Sequence, residues 1–341
     1  MATLTTQRGP DRSSTPTPAR TTVRQRLSRL DVAVSPYLYI TPFFLVFLLV
    51  GLVPLAYTVW VSLHRWTLGG PDPEFLGLDN YVRLLGDEVF WNAVGNTVAI
   101  FVISSSTQIA AALWIAVLLD SRIRARTTFR MGVLLPYVTS LVAVGVIFSN
   151  LFSDENGLVN AVIEGLGLDP VSWHRDQLPG WIAVATMVNW RWTGYNALIF
   201  LAAMQAIPRD LYESATIDGA GAWNRFRHVT LPMVRGTVIF VVITSSIGAM
   251  QLFTEPMLFT PGPGGNNGGP SRQYQTVVML MFQESFSNMK LGYGATIAVA
   301  LLVIILVIAL MNFLLSRLIA SDSVAPSRRR LRRRAEGGAT R

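Results

Sequence analysis

Six long apolar segments, separated by polar or arginine-rich stretches, most limit how this chain can fold. The segments are about Tyr37–Leu63, Asn96–Leu119, Arg130–Phe152, Trp181–Ala206, Gly236–Phe259 and Tyr293–Ile319. A helix that crosses a bilayer needs about 20 mainly apolar residues, and each segment is long enough. Only 14% of the residues are charged, whereas soluble domains carry about a quarter. The pattern predicts an all-α integral membrane protein with six transmembrane helices.

The distribution of basic residues predicts how these helices are oriented. Lys and Arg accumulate in the cytoplasmic loops of membrane proteins. Of the 28 basic residues, 22 fall in the N-terminal tail, the second-to-third loop, the fourth-to-fifth loop and the C-terminal end. The opposite loops carry five, namely Arg65, Arg83, Arg175, Arg272 and Lys290. Both termini are therefore expected in the cytoplasm.

The remaining segments suggest tails and loops. Residues 1–35 are rich in Thr, Ser, Pro and Arg, a composition that predicts a disordered cytoplasmic tail. The first transmembrane helix, in residues 36–63, is expected to be retained rather than cleaved as a signal peptide. Residues 320–341 are expected to form a basic cytoplasmic tail. The Gly- and Pro-rich segment Pro261–Gln275 predicts a flexible outer turn.

Metal and thiol sites are not expected in this chain. The sequence has no Cys, which excludes disulfides and thiolate chemistry, and only three His. These His are widely spaced, which argues against a metal site. His64 and His174 fall in outer loops and are expected to be exposed.

Enzymatic and nucleic-acid functions are not expected either. A P-loop requires Gly-x4-Gly-Lys-Ser/Thr, but the single lysine, Lys290, precedes Leu291. Neither a Gly-x-Ser-x-Gly nor an HExxH motif is present. The basic run from Arg328 to Arg334 would suit nucleic acid in a soluble protein. Just after a final span, its expected roles are topology and contact with anionic lipid.

The cytoplasmic loop between the fourth and fifth spans, residues 207–235, has the pattern of two short helices. Pro208 suits the first turn of a helix, and Asp210 and Glu213 follow where the helix dipole favours acids. Gly219 is suited to ending this helix, because glycine readily adopts the left-handed conformation. The segment from Trp223 to His228 forms a second amphipathic piece. From these features alone, the loop could also be an ordinary interfacial loop whose Arg residues serve only topology.

The spacing within this loop resembles a known family. Glu213-Ser214-Ala215, then Gly219, then Val229-x-Leu231-Pro232 resembles the EAA loop of binding-protein-dependent ABC importer permeases. Ser214 and Val229 replace an Ala and an Ile of the family pattern, while every spacing is kept. The flanking residues, including Asp218 and Ala220, are similar to the carbohydrate-uptake branch with its maltose-type permeases. The similarity covers about Phe90 to Leu315.

The resemblance implies a fold, partners and a location. It implies the ABC type I importer permease fold, with residues 90–319 as the transmembrane domain, in the inner membrane of a bacterial cell. The chain would act with a second permease subunit, two ATPase subunits that hold ATP and Mg, and an extracellular sugar-binding protein or lipoprotein. It would hold no cofactor itself. The residues expected to couple to the ATPase are Glu213, Ser214, Ala215, Asp218, Gly219, Leu231 and Pro232.

The polar residues of the fourth and fifth spans are candidates for the transport pathway. Polar side chains are costly in hydrocarbon and tend to face a cavity, and aromatic faces beside amides and hydroxyls suit a sugar. The candidates are Asn189, Arg191, Tyr195, Asn196, Ser245, Gln251 and Glu255. Tyr195 and Ser245 rest on alignment with maltose-type permeases, and the others on polarity or span position. Such residues also serve helix packing or the aromatic belt, and Arg191 could pair with Glu255 for purely structural reasons.

Two alternatives to a sugar permease remain open at this level. Gly248–Pro256 is similar to permeases for β-linked disaccharides and cello-oligosaccharides, but related permeases for glycerol phosphate share most of this architecture. Arg191 would suit such an anion. An ion-coupled secondary transporter could use Arg191 and Glu255 within its spans, although it would have no use for an EAA loop.

Overall fold

The structure is a computed structural model that describes residues 23–121, 124–260 and 267–321. The backbone divides into two compact units, residues 1–57 and 58–341. The described part of the first unit consists of α1 (Val23–Val46), a π-helical segment (Phe47–Leu52) and the first half of α2 (Val53–Ser62). Residues 34–62 are long and apolar enough to cross a membrane.

The helix begins earlier than the sequence pattern predicts. Residues 23–35 are helical, so the prediction of disorder is wrong for this part of the tail. Three Arg and two Leu fall in this stretch, and both residue types are good helix formers. Residues 1–22 and 322–341, where the remaining tail predictions fall, lie outside the described residues, and the last helix continues through Ser321.

In the described residues of the second unit, the strands are β1 (His64–Arg65) and β2 (Glu74–Phe75), which pair as one short hairpin among helices. Its principal helices are α3 (Asp79–Leu85), α4 (Glu88–Asp120), α5 (Arg126–Val138), α6 (Leu141–Leu151), α7 (Leu158–Gly165), α8 (Gln177–Gln205), α9 (Arg209–Ile217), α10 (Ala222–Arg225), α11 (Leu231–Met233), α12 (Arg235–Met250), α13 (Thr254–Phe259), α14 (Val277–Phe282) and α15 (Leu291–Ser321). Two π-helical segments, Phe226–Thr230 and Gln283–Ser287, follow α10 and α14.

Helices α4 and α8 run parallel and form the centre of this unit. Near their first turns, Gln177 Nε2 donates to Asn96 Oδ1 at 3.0 Å, and further along, Asn196 Nδ2 donates to Gln108 Oε1 at 2.8 Å. Near their last turns, residues of both helices share one apolar cluster. The loop that follows α8 therefore lies at the opposite end of the unit from α3, which precedes α4.

The six predicted spans are only partly matched by single helices. Among the described residues, three helices are long and apolar enough to cross a membrane, or up to five if each of two bent pairs counts as one. The third predicted span is not one helix, because α5 and α6 meet at an angle of 86°. Thr139 is extended at this break, and Pro136 in the preceding turn lacks the N–H of a regular helix.

The fourth and fifth spans also differ from their predicted form. The fourth, interrupted in sequence by polar residues, is one continuous helix of 29 residues, α8. The fifth ends as a regular helix at Met250, and the short helix α13 follows after a break at residues 251–253. Helix α13 carries Pro256, whose missing N–H removes a possible bond to the preceding turn.

Two predictions about the outer loops are wrong. His64 and His174 are not freely exposed: His64 is 8% exposed, and His174 Nε2 bonds the carbonyl of Phe259 at 3.2 Å. The described part of the expected flexible turn is packed rather than open. Tyr274 is fully buried and its N–H bonds the carbonyl of Gly268 at 3.0 Å. Residues 261–266 of that turn lie outside the described residues.

Candidate functional site

A cavity of about 480 Å³ lies among α4, α6, α8, α12 and α13. Its wall combines amides, hydroxyls, aromatic rings and one ion pair, and Gly248 and Ala249 line the α12 side. The polar and aromatic lining residues are Ser104, Ser105, Gln108, Arg191, Trp192, Tyr195, Asn196, Phe240, Thr244, Ser245, Gln251, Phe253, Thr254 and Glu255. Such a mixture can hydrogen-bond a polyhydroxyl solute and stack against its C–H faces.

Six of the seven predicted pathway residues line this cavity. They are Arg191, Tyr195, Asn196, Ser245, Gln251 and Glu255. Asn189 is the exception, because its Nδ2 donates to Thr107 Oγ1 at 2.6 Å between α8 and α4. Its Oδ1 is buried and has no hydrogen-bond partner among the described residues. Asn189 therefore contributes to helix packing beside the cavity.

Arg191 and Glu255 form an ion pair at one side of the cavity. Arg191 Nη1 lies 3.5 Å from Glu255 Oε1, and the side chains are 22% and 9% exposed. This distance indicates charge pairing rather than a tight hydrogen bond. Arg191 Nε is buried with no hydrogen-bond partner in the described part of the chain. The guanidinium also lies 5.8 Å from the Trp192 ring centroid and 6.0 Å from that of Tyr137.

Aromatic rings surround the pair. The rings of Tyr195 and Tyr137 stack with centroids 5.1 Å apart, and Trp192 meets Tyr195 edge-on at 5.9 Å. Tyr195 remains 39% exposed and lines the cavity. Its exposed ring thus offers an apolar surface with a polar edge.

Polar residues of α4 that the sequence reading left out also line the cavity. Gln108 is 4% exposed and accepts the bond from Asn196, while Ser104 and Ser105 lie one turn earlier. The sequence feature that could have identified them is the polar run Ser104-Ser105-Ser106-Thr107-Gln108 in the middle of an apolar span. Five consecutive polar residues in a membrane helix indicate a cavity or a helix contact, and this run provides both.

The loop of residues 207–235 forms a helical hairpin. Its first arm is α9, which begins after Pro208. Ser214 Oγ donates to the carbonyl of Asp210 at 2.8 Å. Asp218 ends this arm, and Gly219 adopts a φ of +76°, which glycine accommodates without steric cost. The N–H of Ala220 then bonds the carbonyl of Ala215 at 2.9 Å, closing the turn.

The second arm runs from Ala222 to Met233, longer than the predicted Trp223–His228. Side chains connect it to the first arm: Tyr212 OH and Thr230 Oγ1 lie 2.9 Å apart, and Arg225 Nη1 donates to Thr216 Oγ1 at 2.9 Å. These bonds hold the two arms in one arrangement. Leu231 and Pro232 begin its last turn, α11, and both are exposed.

The hairpin presents unpaired groups outward. Glu213 is exposed, and no cation of the described residues lies within 4.0 Å of it. Ile217 and Trp223 are 86% and 69% exposed. Its base is anchored, since Ile207 and Val234 belong to the apolar cluster at the last turns of α4 and α8. Large exposed apolar side chains grouped on one anchored segment are typical of interaction sites.

Known proteins resemble this chain over most of its length. Residues 108–321 match the family described as the inner membrane component of binding-protein-dependent transport systems. The lactose transport system permease protein LacF of Rhizobium radiobacter is 36% identical over 298 residues, covering 86% of this chain and 96% of that protein. The arabinooligosaccharides transport system permease protein AraP of Bacillus subtilis is 33% identical over 284 residues, covering 83% and 88%.

A solved structure has the same fold. One chain of a bacterial ABC transporter that imports the acidic polysaccharide alginate superposes with a TM-score of 0.71 at 21% identity, covering 86% of this chain and 99% of that chain. The predicted permease fold and the resemblance seen in the EAA spacing are thereby confirmed. The chain belongs to the family of inner-membrane components of binding-protein-dependent transport systems, the permease subunits of ABC importers.

Proposed function

We propose that this permease passes an uncharged sugar or oligosaccharide through the cavity between α4, α8 and α12. The observation that carries the proposal is the cavity wall, where the exposed Tyr195 ring faces a pathway lined by Gln108, Asn196 and Ser245. Rings and hydrogen-bonding groups of this kind are typical of sugar sites. The relatives named for lactose and arabinooligosaccharides support the same class of solute.

The arrangement of Arg191 favours a neutral solute over glycerol phosphate. A free guanidinium would suit a phosphate, but Glu255 lies 3.5 Å away and offsets its charge. Arg191 and Glu255 thus act as a neutral polar pair on the wall. Gln251, exposed at the end of α12, completes this side of the pathway.

The hairpin of residues 207–235 is the proposed docking site for an ATPase subunit. Glu213 would meet a basic residue of the ATPase, and the exposed Ile217 and Trp223 would pack into its surface. Ser214, Ala215, Asp218, Gly219, Leu231 and Pro232 would hold the shape of the hairpin. Because its base is packed against α4 and α8, movement of the hairpin would be passed to the helices that line the cavity.

The proposed assembly has further components. The distribution of basic residues supports a cytoplasmic position for the hairpin and both termini, and α3 and the start of α4 would then face outward. There, an extracellular sugar-binding protein would deliver the solute. A second permease subunit would complete the pathway, and two ATPase subunits would bind ATP and Mg.

Reconstitution of the complete importer in liposomes tests this proposal. Uptake of radiolabelled lactose, cellobiose and maltose is measured with and without ATP, and with and without the binding protein. Glu213→Lys should abolish ATP-driven uptake, because the reversed charge would repel the proposed basic partner. Glu164→Lys makes the same charge change at an exposed position of α7 and should leave uptake intact. Uptake by this chain alone, driven by an ion gradient, would overturn the proposal.

A further inference from the structure

A second pocket, of about 450 Å³, lies at the end of the unit opposite the hairpin of residues 207–235. It is separate from the cavity between α4 and α8 and shares no lining residue with it. Its lining comes from β1 and the following loop, from α3 and from the start of α15. The residues are Arg65, Trp66, Thr67, Leu76, Asp79, Asn80, Arg83, Lys290 and Tyr293.

Three of the five basic residues in the outer loops converge on this pocket. Basic residues are disfavoured on this side of a membrane protein, yet Arg65, Arg83 and Lys290 all line one pocket with a single acid, Asp79. Arg65 and Lys290 pair with Glu74 and Glu284 at 3.1 Å and 3.4 Å. Neither of these acids lines the pocket.

Arg83 provides a cation that forms no ion pair among the described residues, with Asp79 one turn earlier on α3. Its guanidinium carbon lies 4.4 Å from the centroid of the Tyr293 ring. No carboxylate of the described residues lies within 4.0 Å of its nitrogens. Its N–H groups are therefore available to a bound anion. Phosphate is suited to this arrangement, because it accepts several charge-assisted hydrogen bonds at once.

The framework of the pocket is held by internal hydrogen bonds. Asn80 Nδ2 donates to the carbonyls of Ser62 and His64 at 2.9 and 3.1 Å. The N–H of Gly292 donates to the carbonyl of Trp66 at 3.1 Å. These bonds connect α3, the β1–β2 hairpin with its loop, and the start of α15. The three cations are therefore held by one connected group of elements.

Helix α3 turns an apolar face away from this frame. Leu78, Val82 and Leu85 are 66%, 69% and 67% exposed, while Leu84 on the other side is 2% exposed. The exposed residues are spaced four and three apart, so they lie on one side of the helix. A short helix with one exposed apolar side next to basic residues is typical of a segment lying in the membrane interface.

The position of the pocket along the candidate membrane helices also agrees with a location in the membrane interface. Asn80 of the lining bonds the carbonyl of Ser62, where the candidate membrane helix of residues 34–62 ends, and Lys290 directly precedes the one of residues 291–317. Trp66 and Tyr293 lie at these ends, where aromatic side chains are enriched at the level of lipid headgroups. The three cations therefore lie at the depth of lipid phosphates.

We propose that this pocket binds the headgroup of an anionic phospholipid, with its phosphate among Arg65, Arg83 and Lys290 and with the exposed face of α3 in the interface. The site is independent of the transported solute. Headgroups with an ammonium group bind less well, because Arg83, which forms no ion pair among the described residues, repels it. The lipid anchors α3 and the start of α15 at the outer surface.

Native mass spectrometry of the purified full-length chain tests this site, with phosphatidylglycerol and phosphatidylethanolamine as the added lipids. The double variant R83Q/K290Q should bind phosphatidylglycerol about 25-fold more weakly, since each basic residue contributes about fivefold near a lipid surface. The control R175Q removes a charge from the same side, where the side chain is 71% exposed outside the pocket, and should bind normally. The charge-retaining variant R83K/K290R should restore binding, which separates charge loss from misfolding.

Two further arms identify the ligand. V82Q/L85Q should weaken phosphatidylglycerol binding without changing the pocket, since it removes the apolar contact of α3. Water-soluble glycerophosphoglycerol that bound as tightly as the lipid would assign the pocket to a free phosphate and overturn the lipid site. The lipid site would also be overturned if R83Q/K290Q and R175Q bound phosphatidylglycerol equally well. That result would stand even if R83Q/K290Q no longer bound an acidic protein.

Discussion

Arg191 of α8 and Glu255 of α13 place opposite charges 3.5 Å apart on the wall of the cavity, although 64 residues separate them. The pair joins a continuous helix to the short helix that follows the break after α12. It therefore connects the wall of the pathway to the segment at which the fifth span ends.

Loss of one partner should destabilise the protein more than loss of both. Glu255→Gln leaves a poorly solvated guanidinium unpaired and is expected to cost about 1–3 kcal/mol, less than a fully buried pair because Arg191 is partly exposed. Adding Arg191→Met should recover part of this loss. Thermal unfolding of all four proteins in detergent gives the coupling energy of the pair.

The exposed pair Arg65–Glu74 is the control for this cycle. Its side chains are 67% and 63% exposed, so Glu74→Gln should change stability by no more than about 1 kcal/mol. A coupling energy at Arg191–Glu255 no larger than that of the exposed pair would show that burial adds nothing to their interaction.

Tyr195→Ala should weaken sugar passage while leaving the ATPase complex assembled. The substitution removes the ring that lines the cavity. Loss of one stacking contact worth about 1.4 kcal/mol should raise the sugar concentration at half-maximal uptake about tenfold. Uptake kinetics of the reconstituted importer measure it. Trp91→Ala removes a 51% exposed ring that does not line the cavity, and its uptake should be normal.

Tyr212→Phe should loosen the coupling between ATP hydrolysis and uptake. The variant removes the hydroxyl that lies 2.9 Å from Thr230 Oγ1 and joins the two arms of the hairpin, while the ring and its packing remain. Sugar transported per ATP hydrolysed should fall. An unchanged ratio would mean that this bond does not transmit movement, whereas loss of all ATPase activity would point to failed docking instead.

Gly194→Ala should destabilise the protein strongly, because the added Cβ would collide with the backbone carbonyl of Val133 on α5. Backbone cannot move aside as a flexible side chain can, so a loss of about 3 kcal/mol or more is expected, as for other overpacked contacts. Gly95→Ala on α4 meets no atom within 4 Å and should stabilise its helix by about 0.5–1 kcal/mol. Thermal unfolding of the two variants compares them directly.

Hydrogen bonds to α4 explain why α8 can carry polar residues and yet remain one helix. Asn196 and Asn189 bond to Gln108 and Thr107 of α4, so their polar groups are satisfied by a neighbouring helix rather than by lipid. Hydropathy alone makes α8 the weakest of the six predicted spans, because it scores each polar residue separately and takes no account of its hydrogen-bond partner.

Several features were determined by the sequence itself, since they depend on local physical requirements. Backbone in a bilayer must satisfy its own hydrogen bonds, so long apolar segments become helices, and α4, α8 and α15 do so. The spacing from Glu213 to Pro232 was likewise sufficient to identify the family. A helical hairpin with a turn at Gly219 forms there.

Only the tertiary structure decided which distant residues meet and where the spans bend. The angle of 86° between α5 and α6, the bond of His174 to the carbonyl of Phe259, and the pairing of Gln108 with Asn196 across 88 residues depend on contacts between elements. Polarity alone could not separate Asn189, which bonds between helices, from Asn196, which both bonds and lines the cavity. Local pattern specifies that a polar residue in a span needs a partner, but packing determines whether that partner is another helix, a second charge or the solute.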